Sequence, residues 1–419
     1  MRNHVHSSAV AAPVDESAQV ERGYRLDRAM LHLCIADLMF LPYLRIFDSS
    51  ISLLILPLWI AYRAPRLGAS QKFRIFIFVA ALVFINLMLL IVFRSNSPDL
   101  FGGEGVYSGV VNSVILLYMF GIFFMARYVI FHNTVRIERW LLAYLGFVGS
   151  LALVFYFDAQ LYFSIRSIWT MGGTQILFDQ QGHWHRFTGT LSDPNNVAII
   201  ISAVLAFLLF NMRIRPLIGL LAAAIVVVVV TATMSRSGFL AAIFVLIAYG
   251  VWISLRYLSR GLVIRIAIFI LFNLTLLFIV FQWVGGTEVG RLFGERLGYP
   301  TGRIDRWVQL LDLERFVKSI FLGQGGVVFG DYGIIKPHNG HLHLFLAFGF
   351  MVYIYFLYIF FVLRGRQFSN YLFAIVLLFG FTVNVGIYEP RFAGLMALMV
   401  GAYAALYERN GRQSRISFR

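Results

Sequence analysis

Four stretches of this chain combine arginine or histidine with small or turn-forming residues. Arg186 lies in Trp184-His185-Arg186-Phe187-Thr188-Gly189-Thr190-Leu191-Ser192-Asp193-Pro194-Asn195-Asn196, and Arg236 lies in Met234-Ser235-Arg236-Ser237-Gly238. Arg391 directly follows Glu389-Pro390. Arg291, Arg296, Arg303 and Arg306 precede Lys336-Pro337-His338-Asn339-Gly340-His341-Leu342-His343. Guanidinium forks suit bidentate recognition of phosphate or carboxylate. A histidine beside them suits proton transfer, because its ring titrates close to neutrality. The residue types therefore point to an anionic group held next to a group that loses a proton.

Each of these residues also has a structural reading. The arginines can snorkel or pair with Asp193, Glu295, Asp305 or Glu389. Arg236 is harder to explain that way, since its turn is too short to be a solvated loop. Asp193-Pro194-Asn195 is a good start for a helix, with Asp or Asn as the capping side chain. His338 can equally cap a helix or hydrogen-bond at a boundary. His338 and His341 share a face if the helix begins early, but no nearby carboxylate or cysteine completes a metal site.

The elements that must position these groups follow from composition. The chain has 419 residues, 60% hydrophobic and only 13% charged, with a mean hydropathy of +0.79. A soluble domain carries roughly 25% charged residues. The apolar residues recur in blocks of about 18–25, the length that crosses a hydrocarbon core as a helix, and they do not alternate as barrel strands would. Spans are expected at about 29–47, 48–63, 73–94, 107–127, 139–158, 192–212, 214–233, 237–255, 262–284, 340–363, 370–388 and 391–407. The first two are interrupted by Asp37, Arg45 and Asp48. The expected fold is an all-α integral membrane protein of about 12 transmembrane helices, with a long, partly helical outer loop before the tenth span. Residues 1–27 read as a disordered cytoplasmic tail, 28–407 as the polytopic transmembrane domain and 408–419 as a basic cytoplasmic tail.

With the amino terminus in the cytoplasm, every inner connection is short and carries Arg or Lys, from Arg63, Arg66, Lys72 and Arg74 to Arg409, Arg412, Arg415 and Arg419. That scatter explains the net charge of +15 without a nucleic-acid partner. The lone cysteine, Cys34, excludes an intrachain disulfide. The outer side holds the two long connections, about 159–191 and 285–339, where binding and catalytic residues gather. The stretch from Trp307 to Phe321 has amphipathic helical spacing and is expected to lie along the outer boundary as a lid. Gly325-Gly326 is too weak a signal for a phosphate loop. Outward arginines work against the positive-inside signal, which is why they stand out.

The ordered set Arg186…Gly189…Asp193-Pro194-Asn195, Ser235-Arg236-Ser237-Gly238, Gly302-Arg303…Trp307…Gly323-Gln324-Gly325 and His338-Asn339 followed by Gly349 resembles the O-antigen ligase and polysaccharide polymerase superfamily. The resemblance covers about residues 183–350 and rests on short motifs in a shared order; the amino-terminal spans agree only in number and hydrophobicity. It implies an inverting, metal-independent glycosyltransferase of the bacterial inner membrane, with both termini cytoplasmic and the active site on the periplasmic face. The implied donor is a polyprenyl-diphosphate-linked (undecaprenyl diphosphate) glycan, used without nucleotide sugar, ATP or other cofactor. The implied acceptor is a glycan, for an exopolysaccharide or O-antigen polymerase, or the lipid A core, for a ligase. Membrane lipids, a flippase and a chain-length regulator are the other partners it implies.

Carried onto this chain, Arg186 and Arg236 would hold the diphosphate and stabilise the leaving group, and His338 would deprotonate the acceptor. Arg303, Arg306, Asn339 and Asp193 form a second tier at the diphosphate or glycan. His341 and His343 depart from the pattern and leave the base open among the three histidines. The polymerase reading is preferred, because nothing in the chain is dedicated to a phosphorylated core acceptor. A permease is the alternative of another class, and it predicts ionisable residues in the middle of spans.

Overall fold

Apolar blocks separated by short polar turns fold as helices. The computed structural model describes residues 16–42, 50–67, 71–94, 98–133, 135–169, 186–212, 214–256, 310, 317, 323–330, 333–334, 339–361, 371–383 and 389–416. The helices are α1 (Glu16–Met39), α2 (Ile51–Leu67), α3 (Gln71–Arg94), α4 (Pro98–His132), α5 (Ile137–Phe157), α6 (Ala159–Arg166), α7 (Pro194–Asn211), α8 (Pro216–Thr233) and α9 (Arg236–Arg256). They continue with α10 (Gly340–Phe348), α11 (Phe350–Phe361), α12 (Leu372–Val383) and α13 (Pro390–Ile416). Two two-residue strands, β1 (Phe329–Gly330) and β2 (Gly333–Ile334), pair antiparallel with Phe329 opposite Ile334.

Two packing centres organise the bundle. In the first, α13 lies along α4, which also contacts α1, α2 and α3. Small residues let these backbones approach: a Cβ on Gly401 would stand 2.6 Å from the Phe123 carbonyl oxygen, and one on Gly394 would stand 2.5 Å from a Leu38 methyl. In the second, α7 is buried almost all round by α8, α9 and α12. That burial explains why its sequence is apolar on every face.

Among the described residues, four helices are long and apolar enough to cross a membrane: Val106–His132, Ile137–Phe157, Pro194–Asn211 and Pro390–Arg409. Shorter apolar helices run over Ile51–Arg63, Phe73–Leu89, Leu217–Thr233, Arg236–Trp252, Phe350–Phe360 and Leu372–Thr382. Their outer faces are apolar too, with Leu58, Phe78, Phe84, Leu217, Leu221 and Ile247 exposed. Water would oppose such faces and hydrocarbon matches them. The chain is a helical, membrane-embedded protein.

Several expected boundaries shift. Residues from Glu16 onward, inside the stretch expected to be a disordered tail, are helical in α1. The reason is tertiary: Asp27 on α1 accepts hydrogen bonds from Trp59 Nε1 and Arg63 Nε on α2, at 3.0 and 2.8 Å, and Arg63 also donates to the Gly23 carbonyl. At the other terminus α13 runs past 408 to Ile416, with Glu408 paired to Arg127 of α4. The connection from 159 opens with a helix, α6. The span expected over 340–363 is two helices broken at Gly349, whose φ of +84° no side chain adopts comfortably. Backbone amides of Gln324 and Gly326 satisfy the Ala347 carbonyl that the break leaves open. Gly323 and Gly326 thus serve close packing, since a Cβ on Gly323 would stand 2.5 Å from the α10 backbone and one on Gly326 would stand 2.6 Å from the Gly109 carbonyl oxygen of α4. The expected ninth span and most of the 285–339 loop lie outside the described residues.

Candidate anion-binding site

One end of the bundle gathers the carboxyl ends of α1, α5 and α8 with the amino ends of α2, α6, α7, α9 and α13. The loop from Arg186 to Asp193 crosses this end and is fastened at each step. The Phe187 ring packs on Phe155 and Tyr162, with centroids 5.9 and 5.1 Å apart, and its amide donates to the Ala232 carbonyl at the end of α8. The Tyr162 hydroxyl accepts the amides of Thr188 and Gly189, both at 3.0 Å. Burial holds the Tyr162 phenol above its usual pKa, so the group stays neutral. Gly189 takes φ +55°, which turns the chain back toward α7.

Asp193 is the cap of α7, its carboxylate accepting the Asn195 amide at 2.6 Å, with Pro194 in the first turn. Capping, rather than ligand contact, is the role these bonds give Asp193. Ahead of α13, Glu389 reaches back across the site end. Its two carboxylate oxygens accept the Ser192 amide at 2.5 Å and the Asn196 side-chain amide at 2.8 Å. Burial pushes the Glu389 carboxyl up to about 7, against the pull of the Asn196 and Ser192 hydrogen bonds.

Arg186 comes next to Arg236 through this scaffold. Its Nε donates to the Thr233 carbonyl at 2.8 Å, and one terminal nitrogen donates to Asn195 Oδ1 at 3.1 Å and the Met234 carbonyl at 3.4 Å. It therefore bridges the end of α8 and the first turn of α7. Arg236 opens α9 two residues after Met234, which sits in the left-handed region at φ +50°. Ser235 is fully buried and accepts the Gly238 amide at 3.2 Å, capping α9. A Cβ on Gly238 would fall 2.1 Å from the Ala198 Cβ, so α9 and α7 touch nearly backbone to backbone. The Arg186 guanidinium thus lies at the turn that leads into Arg236, both residues are half-buried, and two adjacent helix amino termini begin there. Their charges and partial charges have the same sign, and such an arrangement attracts an anion.

The other expected residues divide. Arg391 is fully buried and works as a strut, donating to the Thr190 carbonyl at 3.2 Å and to the Leu41 carbonyl. It holds α13, α1 and the loop together and is sealed from solvent, so of the two readings open to it the structural one holds. Asn339 caps α10 by accepting the Leu342 amide at 3.0 Å. His341 uses both ring nitrogens inside the bundle, with Leu378 O at 3.0 Å and the Tyr353 hydroxyl at 3.4 Å. His343 is fully buried. His338, Arg303 and Arg306, like Arg291 and Arg296, lie outside the described residues.

Sequence reasoning missed Arg166, in the last turn of α6, and Tyr162 one turn before it. The signal for Arg166 was there: it is another arginine in the 159–191 connection, against the positive-inside trend. Comparison with family models, curated proteins and solved structures finds no match for this chain.

Proposed function

We propose that this chain is a membrane glycan transferase that takes its glycan from a polyprenyl-diphosphate carrier and joins repeat units of an exopolysaccharide or O-antigen. The observation that carries this is the convergence of Arg186 and Arg236, fifty residues apart in sequence, at two helix amino termini. In this reading the chain has twelve spans, both termini are cytoplasmic, and the arginine site opens on the outer face of the bacterial inner membrane. The resemblance of the motifs from Arg186 to Gly349 suggests the reaction class, and the arginines beside two helix amino termini support a diphosphate as the anion.

The chemistry is a displacement at the anomeric carbon. An acceptor hydroxyl oxygen bonds to that carbon as the bond to the diphosphate oxygen breaks, and the electron pair leaves with the polyprenyl diphosphate. Arg186 and Arg236 meet the charge that develops on the leaving oxygen, an effect of about two to three orders of magnitude for one well-placed donor. His338 takes the acceptor proton. What favours His338 over its neighbours is that His341 is engaged on both ring nitrogens and His343 is sealed in the bundle.

The test is to remove the protein from its host and analyse surface glycan and lipid-linked intermediates. Accumulated single repeat units without long polymer support polymerisation. Long polymer left on its carrier with bare lipid A core would instead mean a ligase, and an unchanged profile would refute glycan transfer. In complementation, Arg236→Ala should lower polymer yield by about a hundredfold or more with normal membrane levels, and Arg236→Lys should also be impaired, since an ammonium lacks the fork. Full activity of Arg236→Ala would refute the diphosphate site.

A further inference from the structure

Arg166 is only 7% exposed, and its Nε is sealed from solvent without a hydrogen-bond partner. Among the described residues it forms no ion pair. A buried, uncompensated cation is costly, and folds rarely keep one unless a partner arrives from outside. Its position indicates what that partner is. The α5 span ends at Phe157, and α6 begins at once behind the Asp158 cap, so α6 sits where the apolar span meets the boundary. Phe157, Leu161 and Ile168 are exposed there, a side-chain set that suits the upper part of a lipid chain. Tyr162 and Arg166, four residues apart, share the buried face that carries the Thr188 and Gly189 amides. Arg166 lies close enough to oppose, by its charge, the rise in the Tyr162 pKa.

We propose that Arg166 is a phosphate-binding group for an anionic lipid at the outer boundary, seated beside the Arg186 loop, with the apolar side chains of α6 against the lipid chain. The phosphate is that of the polyprenyl donor or of a bulk phospholipid headgroup. Assignment to the donor rests on the glycan-transfer reading above; the anion subsite itself does not. An arginine that only held the fold together would have a protein partner, and among the described residues no carboxylate pairs with Arg166, whose charge acts on the Tyr162 phenol.

Purified protein in phosphatidylcholine nanodiscs would be titrated separately with undecaprenyl diphosphate and with phosphatidylglycerol, with binding read by native mass spectrometry. Arg166→Gln is expected to weaken binding of one phosphate lipid at least about tenfold, the effect of losing a charge-assisted contact. Loss confined to undecaprenyl diphosphate assigns the subsite to the donor, and loss confined to phosphatidylglycerol assigns it to the headgroup. If wild type binds phosphatidylglycerol through Arg166 but no undecaprenyl diphosphate, the subsite stands and the glycan-transfer reading falls. Affinities for both lipids within twofold of wild type would overturn the proposal. Arg166→Met should melt no lower than wild type, since it removes an unpaired buried charge; a lower melting temperature with unchanged lipid binding would make Arg166 structural. Wild-type hydrogen exchange gives an arm that needs no variant: bound lipid should protect the amides of 159–169, and unchanged exchange there would also overturn the proposal.

Discussion

At the residue scale, the site end is held by side chains that reach backbone groups, and Glu389 is the most exposed to test. Its folded pKa of about 7 stands above the ordinary carboxylate value of 4.5. The native state therefore holds a proton that the unfolded chain releases between those values. Stability contributed by the protonated carboxyl is complete below about 4.5, falls as pH rises, and is gone above about 7. The whole effect is on the order of 3 kcal/mol. Glu389→Gln mimics the protonated form, since its carbonyl accepts the Ser192 amide and its NH2 donates to a flipped Asn196. Melting curves from pH 4 to 8 should show a decline in wild type that flattens in the variant. Parallel curves for the two proteins would contradict the assignment.

At the scale of elements, the far end of the bundle depends on one buried pair. Asp27 and Arg63 are both buried, bonded to each other, with Trp59 and Gly23 completing the set and the Tyr62 ring 5.0 Å from the guanidinium. Asp27→Ala leaves the Arg63 charge without its partner and should destabilise the protein by about 3–5 kcal/mol. Adding Arg63→Met should recover most of that loss, because an apolar pair of similar volume needs no counter-charge. Thermal unfolding in detergent checks both, and a double variant as unstable as the single one would mean that the charges act separately. The α7–α9 contact is a second such element. Gly238→Val would force α9 away from Ala198 and carry Arg236 with it, so transfer should be lost before membrane insertion is.

For the whole molecule, the arrangement separates two kinds of charged group between its ends. One end carries Asp27–Arg63 and Arg127–Glu408, which join helices; the other carries Arg166, Arg186 and Arg236 around a single loop. On the proposed topology the first end is cytoplasmic. Cysteines placed at exposed Ser164 and near the amino terminus, in a Cys34→Ala background, should then label from opposite sides of the membrane. Labelling of both from one side would refute the topology and, with it, an outer active site.

The helical membrane class, the α7 cap at Asp193, and the tight turn that precedes α9 were all legible in the amino-acid order. Span length, the Asp-Pro-Asn cap and the Ser-x-x-Gly turn depend on neighbours within about four residues, and local sequence contains those neighbours. The helix of α1 from Glu16 was not legible, because Asp27 meets Arg63 36 positions later. Nor was the interior role of Arg391, which donates to a carbonyl 201 positions away, or the grip of Glu389 on Ser192, 197 positions away. Outward arginines looked alike in sequence. Only helix packing separated the buried strut at 391 from the half-buried group that joins α7 and α8 at 186 and from the group at 166, which has no ion pair among the described residues. The reason is that a charged side chain's role is set by what solvates it, and for these three residues that is decided by elements brought together only when the bundle closes.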